Sequence, residues 1–214
     1  MGTIGQGILG GFSGKVGNVV GGNWKGIDYM RVKPASVANP KTEGQMDQRS
    51  KFTKVLQFLQ PMKDYIKIGY QSYAVKMTEF NSAMSYLLKN AVAGEYPDFT
   101  IDYQNALLSK GALASSLNGV VNSPTAGTVS FTWDDNSNDG NAEKKDKAMV
   151  LVFNETRTEA VFVTDGANRN SGAQSLTVPT NYSGDVLHAF IAFVSEDGKK
   201  VSDSNYLGIV GGSD

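Results

Sequence analysis

Few side chains in this sequence could carry catalysis. Its 214 residues include no cysteine and a single histidine, His188. A nucleophile–histidine–acid triad would have to use this residue, and zinc would find no cluster of histidine and cysteine ligands. His188 lies in the apolar run 186–194 and alternates with Leu187 and Ala189, which is typical of a partly exposed histidine on a strand. The sequence therefore predicts that the protein is not an enzyme.

An acidic loop after Trp133 has the spacing of a calcium-binding loop. Counted from Asp135, oxygen-bearing side chains recur at alternate positions, and Gly140 takes the turn position of a twelve-residue loop. The last position is Asp146 instead of the usual Glu and no helices flank the loop, so a solvated hairpin loop is the alternative. Calcium is the only cofactor that the sequence suggests. Its candidate ligands are Asp135, Ser137, Asp139, Asn141, Glu143 and Asp146.

Basic and aromatic side chains are interspersed near the N-terminus. This combination can follow a phosphate backbone and stack on bases. The chain has no recognised nucleic-acid-binding motif, so a solvated basic surface is the alternative. The candidate contacts to a protein partner or to nucleic acid are Lys15, Trp24, Lys25, Tyr29, Arg31 and Lys33.

The glycine-rich start of the chain does not predict a nucleotide-binding loop. Residues 10–15 lack the spacing of a P-loop and the Ser or Thr that follows its lysine. Residues 5–10 match G-x-G-x-x-G, but they neither follow a hydrophobic strand nor open a clear helix, so the match is a coincidence of glycine density. No small-molecule substrate is indicated.

The periodicity divides the chain into three zones. Glycine fills ten of the first 26 positions, with β-branched and aromatic residues between them, which predicts two or three extended segments and a turn near Ser13-Gly14. After a loop between Pro34 and Pro40, apolar residues at helical spacing predict short helices. From Phe99 onward, about seven short strands separated by turn residues predict an antiparallel sandwich with Trp133 in its core.

The predicted fold class is therefore α+β. A glycine-rich β arm and short helices form domain 1–98, and a sandwich that resembles a fibronectin type III domain forms domain 99–214. The two halves differ in charge. Residues 1–94 carry 12 Lys/Arg and 5 Asp/Glu, hence +7, whereas residues 95–214 carry 8 and 16, hence −8. Such asymmetry predicts a charged partner for one half, or contact between copies.

The expected compartment is the cytoplasm, or a particle assembled there. The first residues show neither the basic nor the apolar region of a Sec signal peptide. No apolar run approaches the length of a membrane span, so a membrane is not expected as a partner. The absence of cysteine fits a reducing compartment.

Several short stretches combine glycine, aromatic and Asn-Pro patterns across nearly the whole chain. They are Gly7–Gly17, Trp24–Gly26, Asn39–Thr42 with Gln45, Arg49 and Phe52, Ser72–Ala74 and Asn205–Gly208. Through them the chain resembles an uncharacterised full-length protein family, a domain of unknown function common in bacteroidete bacteria. The resemblance implies no assigned active site. The Asn-Pro-Lys-Thr stretch also resembles a motif of some phage-virion-type proteins, which implies an assembly role.

The sequence thus predicts a non-catalytic structural or assembly protein that acts through protein–protein contacts. The glycine-rich arm is expected to mediate self-association into a homo-oligomer by strand addition. The first alternative is a nucleic-acid-binding accessory protein that uses the basic half. The second is a calcium-stabilised surface-binding module.

Overall fold

The computed structural model describes residues 2–4, 10–36, 41–125 and 127–211. Contacts divide the chain into two compact units, residues 1–42 and residues 43–214. We refer to them as the N-terminal sheet and the body. The predicted loop between Pro34 and Pro40 falls partly on residues 37–40, which lie outside the described residues.

The N-terminal sheet is an antiparallel meander with the strand order β1-β2-β3-β4. A two-residue turn joins β3 to β4, with Lys25 at φ 51° and Gly26 at φ 88°. Two positive φ angles in succession are typical of the type I′ hairpin turn. The turn predicted at Ser13-Gly14 is wrong: those residues lie inside β2, and the chain reverses after it at Gly17, where φ is 58°. The strands are β1 (Thr3–Ile4), β2 (Phe12–Val16), β3 (Val19–Trp24) and β4 (Ile27–Val32).

Three α-helices open the body: α1 (Glu43–Leu59), α2 (Lys63–Gly69) and α3 (Glu79–Asn90). The 17-residue α1 is longer than the predicted short helices. The Thr78 hydroxyl caps α3 by accepting a hydrogen bond from the Asn81 amide at 3.2 Å. Phe52, in the middle of α1, is 49% exposed.

The strands of the body form two main sheets and one short pair. One sheet has the order β10-β9-β12-β13, the second β11-β8-β7, and β5 pairs with β6. Every ladder is antiparallel, which confirms the predicted sandwich. The strands are β5 (Val92–Ala93), β6 (Thr100–Ile101), β7 (Leu117–Thr125), β8 (Thr128–Asp134), β9 (Lys147–Asn154), β10 (Glu159–Val163), β11 (Ala173–Thr177), β12 (Val186–Val194) and β13 (Asn205–Gly211).

Strands β9 and β12 are buried on both faces. Met149 and Phe190 pack with helical residues such as Leu59 in one core. The neighbouring Val150 and Ile191 point to the other side and pack in a second core between the two sheets. The body therefore has three layers, namely helices, a central sheet and an outer sheet.

The predicted boundary near residue 98 is therefore wrong, and the chain divides after Thr42. The helices share a core with the sandwich because they cover one face of β9 and β12. The change of periodicity near Phe99 marks the start of the strands but not the start of a domain. No helix among the described residues is both long enough and apolar enough to cross a membrane.

Candidate interaction site

The strand register of the N-terminal sheet assigns its side chains to two faces. Lys15 pairs with Val20, and Val20 pairs with Arg31, so these three side chains share a face. Alternation along the strands places every second residue on the same side. We call this side the basic face; it consists of Lys15, Val20, Trp24, Ile27, Tyr29 and Arg31. The opposite side carries Phe12, Val16, Val19, Met30 and Val32, and we call it the apolar face; its end near the β3–β4 turn also carries the hydrogen-bonded pair Asn23 and Asp28.

The basic face brings together four of the six predicted contact residues. Its Trp24 is 63% exposed and its Tyr29 is 46% exposed. The two remaining residues lie at the ends of β4, with Lys25 in the preceding turn and Lys33 just after the strand. The Lys25 ammonium lies 5.0 Å from the centre of the Trp24 ring. None of the ion pairs among the described residues includes Lys15, Lys25, Arg31 or Lys33.

Two glycines of β3 allow aromatic rings to lie on the sheet. A Cβ added at Gly21 would sit 2.7 Å from the Phe12 ring on the apolar face, closer than real contacts allow. A Cβ at Gly22 would sit 3.0 Å from the Tyr29 hydroxyl on the basic face. Glycine weakens an isolated strand, but here each of the two glycines is covered by one ring, Gly21 by Phe12 on one face and Gly22 by Tyr29 on the other.

The apolar face is covered only in part. Phe12 and Val19 are half-buried, but Met30 is 71% exposed and Val32 is 73% exposed. Both belong to β4, in which every residue is exposed. Strand β4 pairs with β3 alone among the described strands, so its second edge keeps unpaired backbone groups.

The acidic loop does not assemble the predicted calcium site. Asp146 is buried, and its carboxylate accepts hydrogen bonds from Arg169 Nε at 3.0 Å and from the Glu143 amide at 2.9 Å. Asn141 is used to bridge the segment at residues 112–114. Within the described part of the chain, no three His, Cys, Asp or Glu side chains form a group that could hold a metal.

No three of the carboxylates of Asp135, Asp139, Glu143 and Asp146 therefore form a group that could hold a metal, and hydrogen bonds to Asp146 hold the buried end of the loop instead. Asp135 accepts a hydrogen bond from the Ser137 amide at 3.0 Å, and bonding to Ser137 lowers the pKa of that carboxyl. Spacing along the sequence could not reveal that the carboxylate at the final position of the loop, Asp146, binds a distant arginine.

Arg169 is this arginine, and sequence reasoning missed it. It is fully buried and donates to Asn136 Oδ1 at 2.8 Å and to the Ala114 carbonyl at 2.8 Å. Its guanidinium lies 3.8 Å from the centre of the Phe193 ring. Burial lowers its pKa and the Asp146 carboxylate opposes this shift. The residue joins three loops at one end of the sandwich.

His188 is buried, which corrects the predicted partly exposed position. It is 4% exposed and the Tyr103 ring stacks on it at 3.6 Å. Nδ1 lies 2.9 Å from the Tyr206 hydroxyl and Nε2 lies 3.2 Å from Glu155 Oε2. Burial lowers the pKa of His188, although the Glu155 carboxylate opposes this shift. Burial also raises the pKa of Tyr103 and of Tyr206, which keeps both phenols protonated.

Both ring nitrogens of His188 thus contact side chains of the protein itself.

Residues 11–208 of the sequence match the model of a protein family, DUF6266, which is described as a family of unknown function. The chain belongs to this family. The DUF6266 match includes strands β2 to β4 of the N-terminal sheet and most of the body. It confirms the resemblance to an uncharacterised family that extends over nearly the full length.

Among solved structures, the fn3 domain of the human collagen alpha-1(XX) chain is similar to this DUF6266 protein. The TM-score is 0.34 at 8% sequence identity, and the match covers 48% of this chain and 90% of that chain. No curated protein matches the sequence.

Proposed function

We propose that this protein is a non-catalytic assembly protein that self-associates through the apolar face of its N-terminal sheet. The observation that carries the proposal is the exposure of Met30 and Val32 on the edge strand of the N-terminal sheet. A sheet that is apolar on one side is stable when a second layer covers that side. Exposed apolar patches of this kind are typical of protein–protein interfaces.

The partner that fits this face is the same face of a second copy. Packing two copies face to face would make a small sandwich whose layers lie about 10 Å apart. The basic faces would then remain on the outside, so that the cations stay solvated. Residues 1–42 carry five Lys/Arg and one Asp/Glu, a net charge of +4. Burying the basic face between two copies would place like charges together.

Charge suggests one other mode of contact between copies. Residues 43–214 carry 15 Lys/Arg and 20 Asp/Glu, a net charge of −5. A basic face could therefore dock on the body of the next copy. That contact is heterologous and would build rings or filaments, whereas contact between identical apolar faces gives a closed dimer.

The non-catalytic part of the proposal is supported by the arrangement around His188. Its two ring nitrogens contact Tyr206 and Glu155, and the stacked Tyr103 covers the ring. A general base must have a nitrogen within reach of a substrate proton. The single histidine of the chain offers none in this arrangement.

Light scattering on the full chain tests the proposed self-association. We expect the wild type to associate at tens of micromolar and the double variant Met30→Gln, Val32→Gln to be monomeric, because unpaired amides would be buried in the interface. The matched control is Ile27→Gln, which alters an exposed apolar residue of the same strand on the opposite face. This control should associate like the wild type. A monomeric wild type would overturn the proposal.

A mixing experiment separates the two modes of contact. Fluorescently labelled Met30→Gln, Val32→Gln protein is added to unlabelled wild type. Contact between apolar faces leaves the label in the monomer fraction, since the variant lacks a competent face. Label in the oligomer fraction would overturn face-to-face packing and support docking of the wild-type basic face on the variant's body.

A further inference from the structure

We infer that the basic face of the N-terminal sheet binds single-stranded nucleic acid. This inference goes beyond self-association and does not rest on it, because the side chains concerned lie on the opposite face. Three observations carry it, namely the cations, the aromatic rings and the exposure of the face that they share.

The cations are arranged along and across β4. Lys15 and Arg31 occupy one row across the sheet, with Val20 between them. Lys25 and Lys33 flank the two ends of the strand, whose six residues span about 20 Å at the usual rise per residue. None of the four takes part in the ion pairs that the described residues form. Their charges are therefore not neutralised by a carboxylate in an ion pair, and the Lys25 ammonium lies over the Trp24 ring.

The aromatic rings provide stacking surfaces beside these cations. Trp24 lies opposite Ile27, and Tyr29 lies opposite Gly22, so the two rings are diagonal neighbours on one face. Gly22 has no side chain to separate them, and the Tyr29 ring lies over it. Exposed rings on a cationic groove or face bind unpaired bases without sequence preference. A duplex keeps its bases stacked and would use only the charges.

An acidic protein segment could also be attracted by the four cations. Its carboxylates would pair with the cations, whereas the flat faces of the exposed Trp24 and Tyr29 rings also suit an unpaired base. The observations therefore favour nucleic acid, and an acidic polypeptide serves as the competing ligand in the test.

The test measures binding of a fluorescent 20-nucleotide oligothymidylate to the full chain by anisotropy, at several salt concentrations. If the four cations each neutralise one phosphate, log K should fall with log salt with a slope of about −3, from roughly −0.7 per phosphate on a single strand. Lys15→Gln with Arg31→Gln should reduce the magnitude of the slope by about 1.4.

Substitution of the tryptophan separates stacking from charge. Trp24→Ala should weaken binding about 5- to 100-fold with little change of slope, and Trp24→Phe should restore most of the affinity. The side chain is largely exposed, so the fold should be retained, and circular dichroism checks this. The control is the Met30→Gln, Val32→Gln variant, which keeps every cation and should still bind.

Four results would overturn the inference. The first three are no binding at low salt, equal affinity for Trp24→Ala and wild type, and full competition by polyglutamate at the same charge concentration. Loss of binding by the Met30→Gln, Val32→Gln variant alone would show that the opposite face carries the contact, and this would also overturn it.

Discussion

At the scale of single residues, the buried pair of Arg169 and Asp146 shows how one distant contact decides the role of a loop. The two side chains are 0% and 1% exposed. The arginine also donates to Asn136 and to the carbonyls of Ala114 and Ser115, so its hydrogen-bonding groups are occupied within the protein. A carboxylate that resembles a metal ligand in the sequence is in fact the counter-ion of a buried cation.

Removal of one partner should therefore be costly. We expect Asp146→Ala to lower the free energy of unfolding by about 3–5 kcal/mol, because it leaves an uncompensated buried charge. Urea denaturation measures this change. Asp135→Ala, in the exposed part of the same loop, is the control and should change stability little. Equal losses in the two variants would contradict a structural role for the buried pair.

The buried histidine should make stability depend on pH. Burial lowers the pKa of His188 below its ordinary value of 6.5, so the unfolded chain binds a proton that the folded chain does not. The contribution of neutral His188 to the free energy of unfolding is then fully present above about pH 6.5 and is lost as the pH falls below this value. We expect the melting temperature of the wild type to fall between pH 7.5 and pH 5.5 (about two pH units around that value).

The variant His188→Gln isolates this contribution. Glutamine cannot take up the proton, while the carboxylates that titrate at lower pH are common to both proteins. The difference in melting temperature between wild type and variant should therefore be larger at pH 7.5 than at pH 5.5 (above and below the ordinary histidine pKa). A difference that stays constant with pH would argue against a depressed histidine pKa.

At the scale of elements, alternation predicted the strands well where one face is buried. The buried residues Val129, Phe131 and Trp133 alternate with exposed or half-buried ones, and β8 (Thr128–Asp134) contains all three. Trp133 is in the core, and its indole donates to the Arg169 carbonyl at 2.7 Å. The run 186–194, apolar except for His188, also indicates a strand covered on both sides, because it has no alternating polar face.

The basic face was predicted only as a set of residue types. Lys15, Trp24 and Tyr29 lie near one another along the chain. Whether their side chains share a face depends on the register between the strands, which the sequence alone does not give. A shift by one residue would move every side chain of a strand to the opposite side. The positions of the two turns, at Gly17 and at Lys25-Gly26, set that register.

Two neighbouring glycines of β3 should differ in their tolerance of a side chain. At Gly21 an added Cβ would meet the Phe12 ring and the Phe12 carbonyl oxygen, which is backbone and cannot move freely. At Gly22 it would meet only the far end of the Tyr29 side chain. We expect Gly21→Ala to increase hydrogen exchange across residues 12–32 and Gly22→Ala to leave it nearly unchanged. Similar exchange in both variants would contradict the register that pairs β3 with β2 and β4.

At the scale of the whole molecule, the division after Thr42 assigns the charges to different units from those of the predicted boundary at residue 98. The helices belong with the sandwich, so the basic unit is the N-terminal sheet alone, with a net charge of +4, and the body carries −5. The apolar and basic faces of one small sheet can then serve different partners. Under the proposed function one face would associate copies of the protein, and under the further inference the other would hold a polyanion.

The shared core of helices and central sheet gives the last prediction. A fragment of residues 43–214 should unfold cooperatively, because it contains both cores. A fragment of residues 99–214 should not, since it lacks the helices that cover one face of β9 and β12. The side chains left uncovered are Met149, Leu151, Phe153, Phe190, Ala192 and Val194.

The magnitudes favour this outcome. Covering a large apolar side chain stabilises by roughly 1.5–3 kcal/mol, so five such side chains contribute on the order of 10 kcal/mol. A typical domain is stable by only about 5–15 kcal/mol in total. The fragment 99–214 would also lose the hydrogen bond from the Tyr65 hydroxyl to the Met149 carbonyl. Calorimetry of both fragments measures the transitions, and a cooperative melt of 99–214 close to that of 43–214 would show that the sandwich does not depend on the helices.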